Sequence, residues 1–63
     1  MEILKLRELR EKIGLSQRDM AEKLNIAQAH YWKWEKELSL PNAKQLLELC
    51  EIFHCKPNDI YGL

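Results

Sequence analysis

No apolar run in this chain approaches the ~20 residues that a bilayer-spanning helix requires. The opening Met1-Glu2-Ile3-Leu4-Lys5 also lacks the basic segment and apolar stretch of a secretory signal. A cytoplasmic protein with no membrane partner is therefore expected. Glycine and proline are scarce, 2 of each in 63 residues, too few for a chain of short strands and tight hairpins. Leu, Ile, Glu and Lys abound instead, which points to an all-α fold. Cysteine is sparse as well. Cys50 and Cys55 read as reduced apolar packing residues rather than a disulfide. Zinc ligands could be assembled on paper from Cys50, His54, Cys55 and His30. No Cys-x-x-Cys pair is present, however, and the adjacent His54 and Cys55 project in different directions, so no metal is expected. A glycine-rich phosphate loop is missing, and neither cysteine has an evident paired base. These absences predict a non-enzyme with no cofactor and no small-molecule substrate.

What is present is helical periodicity, over a length that allows one small domain, residues 1–63. Ile3, Leu6, Leu9 and Ile13 recur at three to four residue spacing and form the apolar stripe of a first helix, with Lys5, Arg7, Glu8, Glu11 and Lys12 on the wet side. Gly14 closes it. Ser16 with Asp19 has the form of a capping box and starts a second helix, Gln17 to Leu24, that turns Met20, Ala21 and Leu24 inward. Asn25, tolerant of positive φ, marks a tight turn. A third helix begins near Ala27 or Gln28 and runs to about Lys36. Asn42 and Gln45 form a second capping box, starting a fourth helix whose inner face is Leu46, Leu49, Cys50 and Phe53 and which ends around His54. A short last turn begins at Lys56-Pro57, and Ile60, Tyr61 and Leu63 can pack back on the bundle.

The second and third helices, joined by Asn25-Ile26-Ala27, have the spacing of a helix-turn-helix, in which one helix holds another so that its outer face can meet a groove. On a helical wheel Tyr31, Trp34 and Leu38 share one arc, the expected core side. Gln28, Ala29, Trp32, Lys33 and Lys36 share the opposite one. The chemistry of Gln28, Ala29, Trp32 and Lys33 suits base edges in a major groove. Gln can bridge adenine N6 and N7, Lys can donate to guanine, and a methyl or an indole can meet thymine methyls.

The residues Leu9-Arg10, Leu15-Ser16-Gln17, Met20-Ala21, Leu24, Glu35, Pro41, Leu46-Leu47, Ile52 and Asn58-Asp59-Ile60 together resemble the lambda-repressor-like helix-turn-helix family, the Cro, C1 and Xre regulators. The resemblance covers nearly the whole chain. It implies a compact bundle of five short helices with the third as recognition helix. It further implies an ion pair between Arg10 and Glu35 that orients that helix, and phosphate contacts from Gln17, Arg18, Lys36, Asn42 and Lys44. Dimer contacts in such folds use the last helices, which makes Phe53, Ile60, Tyr61 and Leu63 the candidates here. The chain departs from the pattern at Ala27, where Ser or Thr usually caps the third helix, at Glu37, where Gly often turns the chain, and at the apolar Leu38 and Leu40.

The resemblance therefore implies a sequence-specific regulator that binds a double-stranded DNA operator as a homodimer, a small repressor reading a palindrome. Charge argues for modest affinity, because 10 basic and 10 acidic side chains cancel. Residues 45–63 carry Glu48, Glu51 and Asp59 against Lys56, a local −2, so residues 1–44 carry +2. The alternative is a protein-interaction module, an antitoxin, antirepressor or subunit, that uses an apolar surface around Trp32, Leu38 and Leu40.

Overall fold

Left-handed residues end the helices of this chain, and those endings set the architecture. The computed structural model describes residues 4–62, arranged as α1 (Leu6–Ile13), α2 (Gln17–Leu24), α3 (Gln28–Glu35), α4 (Ala43–Phe53) and α5 (Pro57–Tyr61), with no strand among them. At the ends of α1 to α4 a residue with φ between 54 and 77° reverses the chain: Gly14, Asn25, Glu37 and His54. In each case the next N–H returns to a carbonyl five residues earlier, Leu15 to Arg10 at 3.2 Å, Ile26 to Ala21 at 3.0 Å, Leu38 to Lys33 at 2.9 Å and Cys55 to Cys50 at 3.1 Å. These are Schellman closures, which satisfy helix-end carbonyls that would otherwise lack partners.

The starts of α2 and α4 are written in side chains. Ser16 Oγ accepts from the Asp19 N–H and Asp19 accepts from the Ser16 N–H, both at 3.0 Å. Asn42 and Gln45 exchange the same pair of bonds at 2.8 and 2.9 Å. At α5, Pro57 takes the first helical position and the Asp59 carboxylate accepts the Lys56 N–H. The first turn of α3 has no side-chain cap, because Ala27 has no oxygen to offer.

The core gathers Leu4, Leu6, Met20, Ala21, Leu24, Tyr31, Trp34, Leu49, Phe53 and Ile60. Small Ala21 lets α2 and α3 lie close, and they are the most intimately packed pair of helices. The chain start is tied to its end by the Lys5 N–H, which donates to the Ile60 carbonyl at 2.6 Å. Several expectations are corrected here. Ile13 is exposed, since it is the last residue of α1 and the chain turns away at Gly14. Leu4, ahead of the helix and outside its periodicity, is buried instead. Leu38 does not share the core with Tyr31 and Trp34 and is 67% exposed, because α3 ends at Glu35 and Glu37 takes the left-handed conformation, so the wheel stops before reaching it. Phe53 and Ile60 are core residues with almost no surface to offer a second chain. Ile3 and Leu63 lie outside the described residues.

A non-glycine left-handed residue carries a steric cost. Replacing exposed His54 (φ 54°) by glycine is expected to raise stability by about 0.5–1 kcal/mol, a few degrees in Tm, read from the urea and thermal midpoints. An unchanged or lowered midpoint would show that the His54 side chain stabilises the corner more than its conformation costs.

Candidate nucleic-acid interface

The candidate reading helix is held from below by two aromatic rings and a buried ion pair. Tyr31 and Trp34 project from α3 into the core with no exposed surface, packed edge to face at 6.0 Å between ring centroids. His30, on the exposed side, stands edge-on to Trp34 at 5.3 Å.

At the end of α3, Glu35 meets three donors. Arg10 Nε donates to Oε2 at 2.7 Å and Arg10 Nη2 approaches Oε1 at 3.4 Å, while the Gln17 amide donates to Oε1 at 3.0 Å. Arg10 Nη1 donates to the Leu15 carbonyl at 2.9 Å, so one guanidinium connects α1, the α1–α2 turn and α3. The side chains are 13% and 4% exposed. Burial alone would raise the Glu35 pKa, but hydrogen bonds from Arg10 first and then Gln17 outweigh it and hold the carboxyl below its ordinary range. Bonding to Glu35 likewise raises the Arg10 pKa against the opposing effect of burial. The Tyr31 hydroxyl is buried beside this cluster without a hydrogen bond of good geometry, and burial, then Glu35, pushes its pKa up.

Above this support, Gln28, Ala29, Trp32 and Lys33 all lie exposed on one side of α3. Gln28, Ala29 and Trp32 share with Gln17 a shallow concavity of about 390 Å³. Trp32 keeps 40% of its surface exposed, and the Lys36 ammonium sits 6.0 Å from its ring centroid, at the outer limit of a cation–π contact. α3 has eight residues and is about 12 Å long, comparable with the width of a DNA major groove.

The residues expected at phosphates are dispersed around this face. Arg18 is exposed and loosely paired with Glu22 at 3.4 Å, and Lys36 and Lys44 are exposed. Two of the five have other work: Asn42 spends its carbonyl on capping α4, and Gln17 donates its amide to Glu35. That second role of Gln17 has no periodic signature. It arises only when the turn at Asn25 brings the start of α2 to the end of α3. Of the residues expected at a dimer contact, Tyr61 is half-buried and Phe53 and Ile60 belong to the core.

Two helices joined through a left-handed Asn25, the first packed on the core through Met20, Ala21 and Leu24 and the second carrying an exposed polar and aromatic face, define a helix-turn-helix protein. A family model described as helix-turn-helix matches residues 6–60, and the chain belongs to this family, of the Cro/C1 type. It is similar to the HTH-type transcriptional regulator ImmR of Bacillus subtilis (strain 168), with 31% identity over 58 residues that cover 92% of this chain and 46% of the relative. The chain thus spans about half the length of that protein. No helix among the described residues is long and apolar enough to cross a membrane.

Proposed function

We propose that this chain is a sequence-specific DNA-binding transcriptional regulator that lays α3 in the major groove and acts by occupying an operator. The observation that carries the reading is the contrast between the two sides of α3. Its inner side is immobilised by Tyr31, Trp34 and the Arg10–Glu35 pair, and its outer side leaves Gln28, Ala29, Trp32 and Lys33 without an intramolecular role in capping or core packing. A rigid helix with a free hydrogen-bonding face is what base reading requires. Family membership and the transcriptional-regulator relative support the same reading.

The fold measures 27 Å in its longest dimension, less than the roughly 34–36 Å between half-sites one helical turn apart. One chain therefore reads one half-site, and a palindromic operator takes a homodimer. The three cations expected at phosphates, Arg18, Lys36 and Lys44, are exposed and would neutralise six phosphates per dimer, a slope of log K against log salt of about −5.

The exposure of Trp32, Leu38 and Leu40 favours the second reading, docking to a partner protein. Against it, Trp32 and Leu40 line different surface depressions. Trp32 shares its concavity with Gln17, Gln28 and Ala29, whereas Leu40 shares another with His30, Lys33 and Ser39. The test is selection from a pool of random duplexes at low and moderate salt. Enrichment of a palindrome with a salt slope near −5 is expected. Salt-sensitive retention without an enriched motif would contradict the operator reading and favour the protein partner.

A further inference from the structure

We propose that Cys50 and Cys55 form an oxidative modification site, a dithiol that closes to an intramolecular disulfide by exchange with a low-molecular-weight disulfide such as oxidised glutathione. α4 ends in a Schellman closure. In that motif the residue three before the cap and the second residue beyond it are the pair whose side chains meet across the turn. Here those positions are Cys50 and Cys55, as the bond from the Cys55 N–H to the Cys50 carbonyl at 3.1 Å establishes. The corresponding pairs elsewhere in the fold are Arg10 with Leu15, Ala21 with Ile26 and Lys33 with Leu38. Only at the end of α4 do both positions carry sulfur.

That one hydrogen bond keeps the two Cα atoms within about 7 Å of each other, by the standard lengths of the intervening bonds. Disulfides span roughly 4.4–6.8 Å between Cα atoms, so closure requires no large backbone movement. The thiols are free, both residues are half-buried, and both pack against the edge of the core. Cys55 also lines a concavity of about 610 Å³ between α1 and the α4–α5 corner, which gives a small reagent access to it. Proximity has an electrostatic trace too, since burial first and then the neighbouring Cys50 raise the Cys55 pKa.

The exchange balances in two steps. One cysteine thiolate attacks a sulfur of glutathione disulfide, forming a mixed disulfide and releasing one glutathione thiol. The second cysteine attacks the protein sulfur of that mixed disulfide and expels the other glutathione. The two cysteines lose two protons and two electrons, and the oxidant leaves as two glutathione thiols. The product ties the end of α4 to the segment leading into α5, whose Ile60 is fully buried. Reduction by excess thiol reverses the reaction.

The test is to equilibrate the native, fully reduced chain with glutathione redox mixtures and follow intact mass, thiol titration and thermal midpoint. The expected result is loss of both free thiols, with a mass lower by two hydrogens and no retained glutathione. The species stays monomeric on a non-reducing gel, its midpoint lies several degrees above that of the reduced form, and dithiothreitol restores the starting state. In Cys55→Ser the remaining thiol stops at the glutathione adduct. The proposal is overturned if the native chain keeps both thiols, settles as a stable glutathione adduct, cross-links to a second copy, or yields a disulfide form less stable than the dithiol.

Discussion

Glu35→Ala is expected to lower folding stability by about 3–5 kcal/mol, because it strands the Arg10 guanidinium with its partner carboxylate gone. The size follows from burial. Arg10 and Glu35 are 13% and 4% exposed, whereas the Arg7–Glu11 pair on the surface of α1 is 66% and 56% exposed at almost the same separation, 2.8 against 2.7 Å. Distance alone would rank the two pairs equal. Water decides otherwise, and Arg7→Ala should leave stability nearly unchanged. Replacing both buried partners by apolar residues, Arg10→Met with Glu35→Leu, should recover much of the loss, since it removes two desolvated charges together.

The same pair sets a dependence on pH. The folded pKa of Glu35 lies below its ordinary value of 4.5. Its contribution is therefore fully present above that value and is lost as pH falls through the lower folded pKa. Glu35→Gln should flatten this acid-side decline. Urea midpoints of the variants between neutral and acid pH provide the check. A Glu35→Ala loss no larger than that of Arg7→Ala would show that the buried pair does not anchor α3.

Trp34→Ala is expected to remove a large share of the folding stability and to lower the thermal midpoint steeply. Truncating a fully buried tryptophan costs about 3–5 kcal/mol, while a 63-residue domain has a total stability on the order of 3–9 kcal/mol. Trp34→Phe should be milder than its loss of volume suggests, because the buried Trp34 Nε1 has no hydrogen-bond partner among the described residues and nothing polar is forfeited. The companion variant Trp32→Ala separates core from surface. With its ring 40% exposed, its loss should change stability by less than about 1 kcal/mol and appear in DNA affinity instead. Circular dichroism and thermal melts of the three variants test the assignment, and a Trp34→Ala chain that melts like wild type would contradict it.

The helix starts were legible because they are written locally. Ser16 with Asp19 and Asn42 with Gln45 name their own positions, and Gly14 and Asn25 name two of the ends. Glu37 names nothing by itself, since glutamate does not favour the left-handed conformation it takes. For that reason the wheel of α3 extended into Leu38. Apolar Phe53 and Ile60 looked available for a second chain because no local pattern shows that the chain start returns to α5 through Lys5 and Ile60. Arg10 and Glu35 stand 25 residues apart, beyond the reach of any helical period, and it was family resemblance that pointed to the pair. The exposure of Gln28, Ala29, Trp32 and Lys33 was legible, because Tyr31 and Trp34 fix which side of one short helix is buried, whereas exposed His30 was not placed by the wheel.

The central claim is that this face reads base sequence. Its most direct test is the affinity of Gln28→Ala/Lys33→Ala for the duplex selected by the wild-type chain, set against an unrelated duplex at the same salt. Both residues are exposed, so the melting temperature should stay near that of wild type, while each lost base contact costs about 1–3 kcal/mol. Preference for the selected duplex should then fall by at least about 30-fold, with binding to the unrelated duplex nearly unchanged. A double variant that folds normally and still prefers the selected duplex as strongly as wild type would contradict the account.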